Sequence, residues 1–188
     1  EFRHFWAGVD GADSVVFNPH KWLGAQFDCS IQFIRDPESL VRTLAIRPEY
    51  LKTHGRDGVI NYSEWSVPLG RRFRALKLWF LLRAHGLDGL RQMVREHVRM
   101  AEDLAARIAD QPRFEIVSQP MLSLFSFRHA APVGRDADDH NLRLIDMIND
   151  EGRIYLTQTK VDGKLAIRFS VGQFGTEHHI GFGVGSKP

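Results

Sequence analysis

The chain carries the pentapeptide Asn18-Pro19-His20-Lys21-Trp22 directly after the apolar run Val-Val-Phe at residues 15–17. Lysine is scarce here, since it supplies six of the 25 Lys and Arg residues, and Lys21 is the one that follows a run typical of a buried strand. Burial lowers the pKa of a lysine ammonium, and the neutral amine that results attacks carbonyl carbon. The pattern therefore permits imine formation between Lys21 and an aldehyde. A surface lysine after an Asn-Pro turn is the alternative interpretation.

A longer series of motifs decides between these interpretations. Residues 18–23, followed by Phe27-Asp28-Cys29-Ser30, resemble the cofactor-lysine segment of the pyridoxal-phosphate-dependent aromatic L-amino-acid decarboxylases. Pro48-Glu49-Tyr50-Leu51-Lys52 resembles the mobile catalytic loop of that family. The further segments that resemble the family, in chain order, are residues 65–74, 76–80, 112–115 and 168–170. The resemblance covers nearly the whole chain and implies a fold-type-I α/β enzyme of the aspartate-aminotransferase-like class.

The resemblance also implies which part of such an enzyme the chain represents. Its start at Glu1 is similar to a point downstream of the family's central segment, so we expect the C-terminal half only. Residues 1–92 would then end the large α/β domain and hold the cofactor lysine and a mobile loop at about 44–67. Residues 93–188 would form the small α+β domain. The aspartate that pairs with the pyridinium nitrogen, the histidine that stacks on the ring and most phosphate ligands would belong to the missing N-terminal half.

Hydrophobic periodicity and turn residues predict the secondary structure. A buried helix is expected at about 69–84 and an amphipathic helix at about 87–110, separated by His-Gly and ended by Pro112. The other expected elements are strands at about 14–18, 28–34, 114–117, 122–127, 153–158 and 164–170, and a helix at about 139–151.

Three neighbouring residues are expected at the cofactor. By resemblance, Lys21 holds pyridoxal 5′-phosphate covalently and later releases the product. His20 lies against the cofactor, where its imidazole donates to the phosphate or orients the lysine. Asn18, at the end of a strand, donates its amide to the phosphate. The alternative is that His20 caps the turn and that Asn18 is an ordinary turn residue.

Two further residues bear on the reaction and its substrate. By resemblance, the phenol of Tyr50 protonates the substrate Cα after carbon dioxide has left, whereas relatives with phenylalanine there release an aldehyde. By resemblance, Gly70 leaves room for an indole ring, so tryptophan-like substrates are expected first, with DOPA, tyrosine and phenylalanine also included. The alternatives are a packing role for Tyr50 and a backbone requirement for Gly70. Both residues are therefore candidate substrate contacts.

Other polar residues yield weaker predictions. Arg168 either binds a carboxylate or forms an inter-strand ion pair, and both interpretations stay open. His178 and His179 have no Cys or carboxylate partner at metal-ligand spacing, so no metal site is predicted. The arginines at 71–74 are expected to form the polar end of a buried helix, since no element suited to reading nucleic acid accompanies them.

Composition sets the wider limits. The chain has 188 residues, is 43% hydrophobic and 26% charged, and carries a net charge of +2, which is typical of a folded protein without a nucleic-acid partner. Its apolar runs are too short to span a membrane. Its single cysteine, Cys29, excludes an intrachain disulfide and favours the cytoplasm. The resemblance adds a homodimer with its active site at the subunit interface.

The predicted function is pyridoxal-phosphate-dependent decarboxylation of an aromatic L-amino acid to its amine and carbon dioxide. The nearer alternatives are an aromatic aldehyde synthase and a decarboxylase for histidine or another amino acid. The farther alternative is an inactive fragment that serves only as a partner polypeptide.

Overall fold

A computed structural model describes residues 1–46 and 60–176 of the chain. The chain divides into two compact units, Glu1–Ala84 and His85–Pro188, and the division falls inside a long helix. The predicted domain boundary near residue 92 lies in the same helix. The assignment of these parts to the large and small domains of an enzyme stays a prediction.

The first unit contains a two-stranded antiparallel sheet. Strand β1 (Ser14–Phe17) pairs with strand β2 (Ile31–Ile34). Both predicted strands are confirmed, although β2 begins three residues later than the predicted position 28, because residues 28–30 still belong to the connecting loop. The expectation that β1 is buried is wrong for the described residues, since Val16 is 57% exposed. Strand pairing satisfies the backbone, but no described residue covers this side chain.

Helix α1 (Pro37–Leu44) follows β2 and was not predicted from the sequence. The side-chain oxygen Oδ1 of Asp36 accepts hydrogen bonds from the backbone N–H groups of Glu38 at 3.0 Å and Ser39 at 3.3 Å. Proline occupies the first turn, where its missing N–H costs nothing. The Asp-Pro pair that ends β2 is therefore also the start signal of a helix.

Only part of the predicted catalytic loop at about 44–67 is described. It contains the end of α1 and a short 3₁₀ helix at Tyr62–Trp65, which is capped by Asn61. Residues 47–59 lie outside the described residues.

Helix α2 (Arg74–Ala109) corresponds to the two predicted helices, and its backbone leaves helical geometry at Gly86, with φ 66° and ψ 164°. A positive φ is readily adopted only by glycine, which explains the break. The helix begins at Arg74 and not at residue 69 as predicted, because Pro68 and Gly70 precede it in an irregular segment. All buried side chains of α2 follow Gly86.

The prediction of a buried helix at 69–84 is therefore wrong for the described residues. Trp79 is 52% exposed and Phe80 is 59% exposed. The apolar composition predicts that this part of α2 is buried, but it does not identify the surface that would bury it. No described residue covers these two rings fully.

The second unit pairs a four-stranded antiparallel sheet with helices. The order of the strands is β3-β4-β6-β5. The elements after α2 are β3 (Phe114–Met121), β4 (Leu124–His129), α3 (Ala137–Glu151), β5 (Thr157–Val161) and β6 (Lys164–Ser170). The core contains side chains of α2, α3, the sheet and the residues next to β5 and β6, namely Ala101, Ala105, Ile108, Phe125, Phe127, Ile145, Leu156, Ile167 and Val171. A small α+β unit is confirmed.

Strand β5 occupies a later position than the predicted 153–158. Asp162 and Gly163 follow it with φ values of 50° and 76°. Two successive residues with positive φ form the tight hairpin loop that Asp-Gly favours, and Val161 pairs with Lys164 across it. The turn therefore fixes where β5 ends.

Two histidines are in contact in the second unit. His129 Nδ1 lies 2.8 Å from His140 Nε2. Asn141 fixes the backbone of His129 on both sides, since its Oδ1 accepts from the His129 N–H at 2.9 Å and its Nδ2 donates to the His129 carbonyl at 3.0 Å. Burial lowers the pKa of His129, and the positive charges of Arg113 and His140 lower it further. One ring must stay neutral for this hydrogen bond to exist.

We predict that stability falls as the pH drops below about 6.5, the ordinary pKa of histidine. The unfolded chain takes up a proton there before folded His129 does, so protonation favours unfolding. The loss of unfolding free energy on acidification should be smaller in His129→Gln by about 1 kcal/mol, the usual net contribution of one hydrogen bond. Urea unfolding of parent and variant at pH 7.5 and 5.5 measures it. An equal loss of unfolding free energy in both proteins would contradict the prediction. The variant should still lose some stability at pH 5.5, because burial also lowers the pKa of His97.

Candidate active site

The loop between β1 and β2 carries the cofactor-lysine motif as a tight, internally hydrogen-bonded turn. The backbone N–H of Lys21 donates to the Asn18 carbonyl, that of Gly24 to the Lys21 carbonyl and that of Ala25 to the Pro19 carbonyl, each at 3.0 Å. Pro19 and Ala25 are buried. The loop is therefore anchored at both sides of Lys21.

Lys21 itself is exposed. Its Nζ makes no hydrogen bond or ion pair with the residues that the structure describes. The desolvation that we expected from a buried strand is not supplied by these residues, because the preceding β1 is itself exposed. The amine is accordingly accessible to an aldehyde from solution.

His20 is held by the backbone of Cys29. Its Nδ1 lies 2.7 Å from the Cys29 carbonyl oxygen and 3.1 Å from the Cys29 amide nitrogen. The ring packs edge-on against Phe27, with ring centres 4.9 Å apart. Since Nδ1 is engaged by Cys29, Nε2 is the ring nitrogen left for a ligand.

Asn18 is oriented by the residue across from it. Its Oδ1 accepts a hydrogen bond of 2.6 Å from the Ser30 hydroxyl. This contact continues the ladder of β1 and β2, in which the preceding residue pair is Phe17 and Ile31. The oxygen of the amide is used, so the NH₂ group of Asn18 is the part that can donate to a ligand.

The end of the loop is tied to the start of α2. Arg74 Nε donates to Asp28 Oδ2 at 3.0 Å, and Lys77 Nζ donates at 3.2 Å to the carbonyl oxygens of both Phe27 and Asp28. The Cys29 thiol lies 3.6 Å from the Arg74 carbonyl oxygen. The hydrogen bond from Arg74 lowers the pKa of Asp28. Asp28, Arg74 and Lys77 are site residues that the sequence motifs do not predict.

A signal for this contact exists in the sequence. Arg74 and Lys77 are three residues apart and so lie on one face of a helix. Their partners are some fifty residues earlier, and spacing alone does not identify them. The expectation of a polar end to the helix is confirmed for Arg74, which pairs with a carboxylate.

Gly70 lies in a segment closed by side-chain hydrogen bonds. Arg71 Nε donates to the Ser66 hydroxyl at 2.9 Å, and that hydroxyl lies 3.0 Å from the Pro68 carbonyl oxygen. A Cβ added at Gly70 would meet no atom of the described residues within 4 Å, and the φ of Gly70 is not positive. The described residues therefore give no backbone reason for glycine at this position.

The remaining candidates are not brought to this loop. Tyr50, His178 and His179 lie outside the described residues. Arg168 is exposed in β6, opposite Ser126 of β4 and Thr157 of β5, and forms no ion pair with any described residue. Within residues 1–46 and 60–176, no cluster of three or more His, Cys, Asp or Glu side chains suits a metal ion.

The chemistry of the loop fits an aldehyde cofactor with a phosphate group. An accessible primary amine at Lys21 suits covalent attachment of the aldehyde. The Asn18 amide and the His20 imidazole, one on each side of Pro19, carry N–H groups suited to phosphate oxygens. Asp28 is committed to Arg74 and so is not available to pair with a pyridinium nitrogen.

A protein-family model described as the pyridoxal-dependent decarboxylase conserved domain matches residues 1–130. The chain belongs to the pyridoxal-dependent decarboxylase family. Membership in this family confirms the predicted resemblance and the predicted cofactor class.

Members of the family resemble the chain over most of its length. Tyrosine decarboxylase 4 of Petroselinum crispum is 39% identical over 180 residues, which are 92% of this chain and 35% of the relative. Phenylacetaldehyde synthase of Arabidopsis thaliana is 36% identical over 177 residues, which are 92% of this chain and 36% of the relative. The chain thus spans little more than a third of these curated relatives.

A solved structure of the family confirms the fold. The crystal structure of Oryza sativa TDC with PLP and tryptamine matches 95% of this chain and 38% of that chain, with a TM-score of 0.88 and 36% identity. The predicted α/β class, fold type I, is therefore confirmed. Among the described residues, no helix has both the length and the apolar character to cross a membrane.

Proposed function

We propose that the protein carrying this chain decarboxylates an aromatic L-amino acid to its amine, with pyridoxal phosphate held on Lys21. The observation that supports this proposal most directly is the loop of residues 18–30. It presents an accessible lysine amine beside the Asn18 and His20 side chains on a turn that its own backbone stabilises. Membership in the pyridoxal-dependent decarboxylase family supports pyridoxal phosphate as the cofactor.

The residues of this chain have separate tasks in the proposed reaction. When bound, pyridoxal phosphate supplies the electron sink that weakens the bond between Cα and the carboxylate. Lys21 would hold the cofactor aldehyde through its amine. His20 and the Asn18 NH₂ group would hold the cofactor phosphate through their N–H groups. Tyr50 holds the proton that returns to Cα, and Gly70 leaves space beside the substrate ring.

The substrate class is proposed from two observations. Relatives named for tyrosine and a structure that contains tryptamine both match the chain. No described atom lies within 4 Å of a Cβ placed at Gly70, which leaves room for a large indole ring. We therefore favour a tryptophan-like substrate. The predicted cytoplasmic location, the homodimer with a shared site and the need for a separate N-terminal half stay predictions.

An aromatic aldehyde synthase is the second candidate, because phenylacetaldehyde synthase is 36% identical to the chain. Tyr50 favours the decarboxylase, since a phenol can return a proton to Cα and a phenylalanine ring cannot. The histidine decarboxylase alternative has no observation in its favour among the described residues. An inactive partner polypeptide would bind no cofactor covalently.

The proposal predicts one labelled lysine. Borohydride reduction of the complete enzyme with pyridoxal phosphate, followed by peptide mapping, should place the pyridoxyl group on Lys21. Lys77 should stay unlabelled, because its ammonium donates to two carbonyl oxygens. Lys21→Arg is the control, since it keeps the charge and removes the primary amine. A pyridoxyl group on another lysine, with Lys21 unmodified, would refute the assignment.

A further inference from the structure

The first turn of α2 connects the two parts of the proposed site. Arg74, the first residue of this helix, holds the loop that carries Lys21, since its Nε donates to Asp28 Oδ2 at 3.0 Å. Gly70 precedes Arg74 by four residues, and a chain of that length spans at most about 14 Å. One side chain therefore joins the segment that contains Gly70 to the cofactor-lysine loop.

The connection is short on the side of Lys21. The backbone N–H of His20, the residue before Lys21, donates to the Cys29 carbonyl oxygen at 3.3 Å. Cys29 follows Asp28, is 2% exposed, and has its thiol 3.6 Å from the Arg74 carbonyl oxygen. The start of α2 thus holds the piece of backbone that is hydrogen-bonded to the neighbour of Lys21.

The segment on the side of Gly70 is closed by its own hydrogen bonds. Arg71 Nε donates to the Ser66 hydroxyl at 2.9 Å, which closes a turn around Gly70. The backbone N–H of Arg74 donates to the Arg72 carbonyl oxygen at 2.8 Å. These bonds remove much of the conformational freedom between Gly70 and Arg74, so the position of one determines the position of the other.

The contact between Arg74 and Asp28 is an ion pair at the surface. The two side chains are 36% and 37% exposed. The hydrogen bond from Arg74 lowers the pKa of Asp28, and the charge of Lys77 contributes to this effect, so the carboxylate is ionised at neutral pH. A pair this exposed adds little to stability. Its loss should therefore displace the two segments without unfolding the protein.

We propose that Arg74 is a positioning residue that sets the spacing between Gly70 and Lys21 through its ion pair with Asp28. An aromatic amino acid would have its amine at the cofactor on Lys21 and its ring beside Gly70. The spacing then determines which ring reaches both places. The place of the ring beside Gly70 rests on the proposed function, whereas the link between the two segments does not.

The test compares Arg74→Gln with the parent in the complete enzyme. Glutamine keeps a polar side chain and removes the charge. The preference for tryptophan over tyrosine, expressed as the ratio of the two kcat/KM values, should fall about fivefold, because a displaced segment no longer matches one ring. Borohydride labelling of Lys21 and the melting temperature should stay parental. A merely structural role would lower both kcat/KM values equally, together with the labelling.

Exchange of the two charges provides the matched control. Asp28→Asn should reproduce the effect of Arg74→Gln, and the two changes together should have no larger effect than either alone, because both break one ion pair. Asp28→Arg combined with Arg74→Asp forms the pair in the opposite direction and should recover part of the preference. Arg83→Met removes a charge later on α2, where the guanidinium lies 6.0 Å from the centre of the Trp79 ring, and should leave the preference unchanged. A parental preference in Arg74→Gln, or additive effects of the two single changes, would overturn the proposal.

Hydrogen exchange of the complete protein without cofactor separates this proposal from the proposed function. Arg74→Gln should speed exchange at residues 27–29 and 66–73 together, and the exchanged pair should reverse this. If exchange responds in this way but Lys21 takes up no label, the decarboxylase assignment fails and the link between the segments stands. If Gly70→Ser changes the substrate preference and Arg74→Gln does not, the positioning role fails alone.

Discussion

An enzyme with Tyr50→Phe should release carbon dioxide at close to the parental rate while its amine production falls by roughly 10²- to 10⁴-fold, the usual contribution of a general acid. The loss of the phenolic proton affects only the step after the carboxylate has left, so substrate binding and cofactor attachment should persist. The reactive Cα position would then be open to oxygen, which takes two electrons and becomes hydrogen peroxide, and after hydrolysis aldehyde with ammonia should replace the amine.

The measurement must follow carbon dioxide, amine and aldehyde in the same reaction. Tyr62→Phe is a matched control, because Tyr62 is a tyrosine of the neighbouring segment that is 66% exposed and packs edge-on against Trp65. This variant should keep amine as its product. Amine production at the parental rate by Tyr50→Phe would show that Tyr50 is a packing residue, and the distinction between decarboxylase and aldehyde synthase drawn from it would fail.

Gly70→Ser should lower the preference for tryptophan over tyrosine, expressed as the ratio of the two kcat/KM values, by about 10- to 100-fold. A serine side chain fills space that an indole ring needs, whereas a smaller phenol can still be accommodated. The fold should not change, because an added Cβ meets no atom of the described residues within 4 Å.

Gly11→Ser provides the control for this change. Gly11 ends a 3₁₀ helix (Val9–Gly11) in the same unit, and a Cβ there also meets no atom within 4 Å in the part of the chain that the structure describes. It should leave the substrate preference and the melting temperature unchanged. An unaltered preference in Gly70→Ser, at an unaltered melting temperature, would show that this glycine does not select the substrate.

Local patterns in the sequence predicted much of the fold. The apolar run at residues 15–17 and the β-branched and aromatic residues at 31–34 predicted both strands of the first unit, and His-Gly predicted the break of α2 at Gly86. Where the observed boundaries differ from the predicted ones, turn and cap residues set them. The Asp-Gly turn at Asp162 sets the end of β5, and the Asp36 cap starts α1. Both signals are local and were available.

The parts of the site that sequence could not predict depend on contacts between distant residues. The hydrogen bonds of Lys77 to the backbone near Asp28 join positions about fifty residues apart, and a carbonyl acceptor leaves no mark on residue type. The exposure of Lys21 and Trp79 could not be predicted either. An apolar run indicates a preference for burial, and burial itself depends on which other surface is present.

The ladder that pairs β1 with β2 and continues through Asn18 and Ser30 has a consequence for evolutionary change. Exposed strand positions such as Val16 should accept many substitutions, because their side chains touch little in the described part of the chain. A single insertion or deletion within either strand would shift the register by one residue and turn Asn18 and Ser30 to opposite faces. Sequence drift in this hairpin should therefore proceed by replacement at constant length.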